Sequence, residues 1–159
     1  WFTFLTREEI EEIEAEHAEA PQQRLAQKTV ADEMTRLMHG EDELERARAA
    51  AGALFSGDVA GLDEQLLEEV FVDVAGSEHP VSSLEGDGVL LLDLLPETSL
   101  AGSKREAREF LSNGSVSVNG TKVDKESALE HRLVPTDLLH GRMILIRRGK
   151  KTWHATRWS

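Results

Sequence analysis

Ser103 to Val123 reads SKREAREFLSNGSVSVNGTKV, and within it the apolar period changes from helical to extended. Ser103 is placed to cap a helix from Lys104 to about Ser112, with Glu106 completing a capping box and Asn113-Gly114 ending the helix. Beyond that point Val116 and Val118 alternate with serines. Asn119-Gly120 is a strong two-residue hairpin signal, and Thr121 to Val123 supplies the returning strand. A helix followed directly by a hairpin predicts a small α+β unit.

At ~100° per residue, Lys104, Arg105, Arg108 and Ser112 fall in one sector of the helix, and Ala107, Phe110 and Leu111 in the opposite one. The helix therefore has a basic face and a core face. Pairing Val116 with Val123 and Val118 with Thr121 puts Ser117 opposite Lys122 on the other side of the ribbon. Further along, Met143 to Ile146 is apolar on both faces and so predicts a buried strand. It leads into Arg147, Arg148, Lys150 and Lys151 around Gly149, in a second hairpin from Met143 to about His154. Three basic clusters in about 70 residues point to RNA or DNA phosphate as partner.

Working back towards the amino terminus, Val89 to Leu95 predicts a short helix that Pro96 interrupts. Residues 76–88, rich in Gly, Ser, Pro and acids, read as a linker or an irregular strand. Thr6 and Glu9 form a capping box for a first helix over about Arg7 to Ala18. Pro21 suits the first turn of a second helix, whose apolar positions are Ala26, Val30, Met34, Leu37 and Met38 and which Gly40 closes. A third runs from Glu41 to Gly57 with Leu44, Ala47, Ala51, Leu54 and Phe55 as its stripe, and a fourth covers roughly Asp63 to Phe71. The expected organisation is an all-α domain over residues 1–75, a linker over 76–88, and an α+β domain over 89–159 built of two helices and a short antiparallel sheet.

The net charge of −12 taken alone argues against a polyanion partner, but the average conceals a division. Residues 1–88 hold 6 basic and 22 acidic residues, a net of −16, whereas residues 89–159 hold 12 and 8, a net of +4. Such asymmetry is itself a mark of nucleic-acid contact. The chain contains no cysteine, which excludes disulfides and thiolate metal sites and fits a reducing compartment. No secretory leader is apparent and no apolar run approaches the ~20 residues of a membrane span, so the expectation is a cytoplasmic protein. The six histidines are scattered, without a paired spacing for a metal, and no metal or catalytic residue is expected.

The sequence Ser103-Lys104-Arg105-Glu106-Ala107-Arg108, followed by Gly114, Val116 and Val118-Asn119-Gly120, resembles the αL RNA-binding motif of a primary-binding protein of the small ribosomal subunit. Other features are similar, in order, to the region after the catalytic domain of bacterial tyrosyl-tRNA synthetases. They are the opening Trp1-Phe-Thr-Phe-Leu-Thr, Arg24 and Gln27 after Pro21, Ala31-x-Glu33-x-Thr35, His39-Gly40, and Arg147 to Lys151. The resemblance implies an α-helical anticodon-side domain and an αL-type domain that recognise and orient tRNA(Tyr) through its anticodon stem and long variable arm. It implies Ser103, Lys104, Arg105, Arg108, Asn119 and Lys122 as RNA-facing, with Arg147, Arg148, Lys150 and Lys151 beside them. An Asn-Gly turn also needs positive φ whatever it binds, so Asn119 has a structural role open to it as well.

In that family a Rossmann-like catalytic domain binds ATP and tyrosine, and the full enzyme is a homodimer through it. This sequence holds no glycine-rich phosphate loop and neither ATP-binding signature, so the chain by itself is expected to be non-catalytic and to take no cofactor. Two alternatives stay open at this point. One is a stand-alone RNA-binding module of another αL-motif protein; the other is a protein-interaction module that uses the acidic helical part.

Overall fold

The computed structural model describes residues 3–159, so the opening Trp1-Phe2 lies outside the described residues. The chain forms two compact units, residues 1–49 and 50–159. The division falls within the third helix and not at the linker expected over 76–88. Those residues belong to the second unit, where Gly76–His79 forms a strand.

In the first unit, α1 (Arg7–Glu19) starts as the sequence predicts: the Thr6 side chain accepts from Glu9 N–H, and the Glu9 carboxylate accepts from Thr6 N–H at 2.7 Å. Pro21 opens a 3-10 turn (Pro21–Gln23), not the second helix itself. Arg24 then adopts φ 57°, and α2 runs Leu25–His39, with Gly40 at φ 90° ending it. Of the expected stripe on α2, Ala26 and Met34 are half-buried, while Val30, Leu37 and Met38 are 50%, 51% and 68% exposed. Only Leu44, on α3 (Glu41–Ser56), is fully buried among the unit's described residues.

The second unit is built on a five-stranded sheet of order β1-β7-β6-β3-β4, formed by Gly76–His79, Thr152–Trp158, Met143–Arg148, Val116–Val118 and Thr121–Lys122. β1 runs parallel to β7, so the sheet is mixed and not purely antiparallel; the other pairings are antiparallel. The expected helix at 89–95 is shorter than predicted. Val89–Leu90 (β2) pairs with Arg132–Leu133 (β5), α5 covers Leu91–Leu94, and Pro96 lies in a 3-10 turn, Leu95–Glu97. α4 (Glu64–Phe71) is capped by the Asp63 side chain, and α6 spans Lys104–Ser112 as expected.

The central strand β6 explains why the unit holds together. Its side chains alternate between two cores, so Ile144 and Ile146 pack with Leu91, Leu95, Ala107 and Leu111 on one face. Met143 and Leu145 pack with Leu67, Phe71 and Trp153 on the other. Period-two alternation with apolar residues at every position is the signature of a strand covered on both sides, and all four side chains are buried to within 1% of complete. The end of α3 contributes to the second core through Ala53, with Ala50 and Leu54 half-buried against it. Ala51 and Phe55, expected in the stripe, are exposed, Phe55 to 85%; so is Ala47 one turn earlier in the helix. The sheet sets which face is covered, and that face is rotated from the one the apolar residues alone suggest.

Candidate nucleic-acid interface

Ser103 caps α6 by accepting from Glu106 N–H at 3.3 Å. The reciprocal half of the box is different from expectation, since the Glu106 carboxylate accepts from Gly102 N–H at 2.7 Å. Ala107 and Leu111 are buried and Phe110 half-buried, which turns Lys104, Arg105 and Arg108 outward as the helical spacing requires. Lys104 is ion-paired with Asp93, Nζ to Oδ1 2.8 Å, with both side chains well exposed. An exposed pair contributes little and is easily exchanged for another anion.

The hairpin forms with the predicted register, Ser117 opposite Lys122 and Val118 opposite Thr121, and Val123 N–H donates to Val116 O at 3.1 Å. Asn119 and Gly120 have φ 48° and 85°, the pair of positive values that a tight, right-twisting two-residue turn requires. Asn119 Nδ2 donates to Asp137 O at 2.6 Å and its Oδ1 accepts from Leu145 N–H at 2.9 Å. Both ends of the amide are therefore engaged within the protein, and Asn119 clamps the turn to β6 and to the 3-10 turn at Pro135–Asp137. The turn also sits against Gly57, because a Cβ on Gly120 would lie 1.6 Å from Gly57 O.

The cationic tip divides in two. Arg147 and Arg148 are the last residues of β6, and their side chains leave on opposite faces. Arg147 stacks over the Trp153 ring at 4.8 Å and lies against Gly57, where an added Cβ would come within 2.5 Å of Nη2. Arg148 donates to Leu100 O at 2.6 Å and stacks over Phe110 at 4.8 Å. These two arginines tie the sheet to the elements covering it, whereas Lys150 and Lys151 are exposed in the turn. Among the described residues no carboxylate pairs with Arg105, Arg108, Lys122, Lys150 or Lys151.

A groove of about 420 Å³ joins the end of α6 to both hairpins. Asn113 to Ser115 and Ser117 form its floor, and Lys122, Arg147 and Lys150 its cationic walls. Lys104 and Arg105 stand at the other end of α6, ~12 Å away at 1.5 Å per residue, and do not line it. Lys125 leaves no signal in the sequence, since it lies between Asp124 and Glu126 in a loop without periodicity. Its stem packs on Gly114 at φ 69°, where a Cβ would approach Lys125 Cε to 2.4 Å.

A polar chain centred on the buried His154 crosses the far side of the sheet. Ser99 N–H donates to His154 Nδ1 at 3.2 Å, His154 Nε2 meets Ser77 Oγ at 3.0 Å, and Ser77 Oγ meets His79 Nε2 at 2.7 Å. Because Nδ1 accepts a backbone N–H, His154 carries its proton on Nε2 and is neutral. Burial, reinforced by the neighbouring His79 and Arg157, holds its pKa below the ordinary 6.5. None of these groups lines the cationic groove. Among the described residues no group of three metal-ligating side chains is assembled, and no helix is long and apolar enough to cross a membrane.

Residues 69–156 match the family described as the tyrosine–tRNA ligase SYY-like C-terminal domain, and residues 1–56 match class I tRNA synthetases (W and Y). The tyrosine–tRNA ligase of Geobacillus stearothermophilus is 44% identical over 162 residues, which cover 100% of this chain and 36% of that protein. Tyrosine–tRNA ligase 1 of Bacillus cereus is 42% identical over 158 residues, 99% of this chain and 36% of that protein. A solution structure of a tyrosyl-tRNA synthetase C-terminal domain is 38% identical, with a TM-score of 0.48, and covers 67% of this chain and 100% of that domain. The chain thus spans about a third of the length of the curated relatives it matches. The family match covers more than half of the chain, which therefore belongs to the tyrosine–tRNA ligase C-terminal domain family.

Proposed function

We propose that this chain is the tRNA-binding region of a tyrosine–tRNA ligase and that it grips the tRNA backbone without taking part in the chemistry. The observation that carries the proposal is the cationic groove. Lys122 and Lys150 stand unpaired on its walls, and Arg105 and Arg108 extend the positive surface along α6. Phosphate neutralisation by Lys and Arg supplies most of the affinity for nucleic acid. A groove mounted on a doubly covered strand holds those charges in place, so the bound RNA takes a fixed orientation.

The specific ligand of this reading is tRNA(Tyr), held by its anticodon stem and long variable arm. ATP and tyrosine would be bound by the part of the longer relatives that this chain does not span, and the assembled enzyme would be a homodimer acting in the cytoplasm. The test is a competition among tRNA(Tyr), a tRNA(Tyr) without its variable arm, and an unrelated tRNA. Preferential retention of the intact tRNA(Tyr) supports the reading; equal displacement by all three refutes the specificity, and no binding at low salt refutes the function.

A further inference from the structure

A second groove lies on the opposite side of the β3–β4 hairpin, with a volume of about 490 Å³, and its composition differs from that of the first. Ala60 and Leu139, with what the core leaves uncovered of Val118 and Val123, give it an apolar floor. Asp124 and Asp137 add carboxylates, and His131 and Lys122 add nitrogen. His131 Nε2 is shielded from solvent and has no hydrogen-bond partner. Lys122 lines both grooves, so a strand whose phosphates follow the cationic groove meets the second one on crossing the hairpin.

Two carboxylates make this groove a poor place for phosphate, because each repels an anion. Its pairing of an apolar floor with acceptors and a few donors fits a flat heterocycle whose faces are apolar and whose edge is polar. We propose that the second groove receives a single unstacked nucleobase of the RNA held in the first, and that its carboxylates favour a base carrying an exocyclic amine, such as adenine or cytosine, over uracil, which has none. The inference rests on the proposed RNA binding and adds to it a site that reads a base where the first groove reads only backbone. Ionised carboxylates accept hydrogen bonds and do not donate; uracil presents carbonyl oxygens where adenine and cytosine present an NH₂ group.

The experiment titrates the ¹⁵N-labelled chain with RNA hexamers of adenosine, cytidine or uridine and follows amide shifts. The expected result is saturable shifts at Val118, Thr121, Val123 and His131 with the adenosine or cytidine hexamer, and about tenfold weaker binding there for uridine, a ratio typical of one well-placed base contact. D124N keeps an oxygen to accept from Glu126 N–H, now at 3.3 Å, and should narrow that ratio while the fold is kept. Shifts confined to Gly114, Ser115, Gly149 and Lys150, or equal response to the three hexamers, overturn the base pocket while leaving RNA binding intact. The absence of shifts anywhere overturns both.

Discussion

Replacing Asn119 with alanine separates a structural clamp from an RNA contact, and the structure gives the size of the effect. The substitution deletes the bonds to Asp137 O and Leu145 N–H. Leu145 is completely buried, so its N–H loses a partner that water cannot replace, a loss of about 1–3 kcal/mol. The backbone at φ 48° adds about 1 kcal/mol, because alanine tolerates the left-handed region less well than asparagine. The expected destabilisation is about 3 kcal/mol. In urea, with a slope of about 1.5 kcal/mol per molar, the midpoint falls by about 2 M, readable from tryptophan fluorescence because Trp153 and Trp158 lie in this unit's two cores. N119D keeps an acceptor for Leu145 N–H but turns an oxygen towards Asp137 O, and should lose about 1–3 kcal/mol. If N119A unfolds within ~0.5 kcal/mol of the parent and binds RNA more weakly, the clamp is wrong and Asn119 is a ligand.

Gly120→Ala should cost at least as much, about 3 kcal/mol or more, because a Cβ 1.6 Å from Gly57 O forces backbone to move and φ 85° is unfavourable for alanine; the same urea titration measures it. Arg147→Ala should lower stability by about 1 kcal/mol through loss of the stacking on Trp153, with a change in tryptophan emission. Lys150→Ala should leave stability within ~0.5 kcal/mol yet reduce the slope of log affinity against log salt by about 0.7–0.9, and an unchanged slope would remove Lys150 from the interface. Stability should also fall as pH drops below 6.5. The depressed pKa of His154 means the unfolded chain takes up its proton first, so the contribution is complete above 6.5 and is lost as pH falls towards the folded value. Unfolding midpoints between pH 7.5 and 5 test this, and a flat profile for the parent protein would refute it.

What was legible in the sequence is what local chemistry decides. The Thr6 and Ser103 caps, the Asn119-Gly120 turn, the two faces of α6 and the burial of Met143 to Ile146 follow from spacing alone, and the structure has each of them. The missing parts depend on partners distant in the chain. Gly76–His79 has no apolar period because it is an edge strand, defined only by its parallel pairing with β7, so its polar text reads equally well as linker. The covered stripe on α3 differs from the expected one for a related reason. Alanine favours a helix whether or not its face is covered, and only the sheet beneath determines that Ala53 is covered while Ala51 is not.

The cations show the same limit at the scale of a single turn. Arg147, Arg148, Lys150 and Lys151 form one basic cluster in sequence, yet strand geometry treats them in two ways. Residues that end β6 must alternate across the sheet, so the arginines leave on opposite faces, where each planar guanidinium finds an aromatic ring, Trp153 of β7 or Phe110 of α6. Guanidinium is less strongly hydrated than ammonium and stacks on rings, which makes arginine the suitable residue at those two positions. The two lysines fall in the turn, where no alternation constrains them and full hydration is retained. Of the four charges in the cluster, the two lysines alone are held by no ring or carbonyl of the fold. The arginines brace the sheet, Arg147 bordering the groove as it does so, and Lys150, with Lys122 across from it, supplies the groove's exposed, unpaired charge.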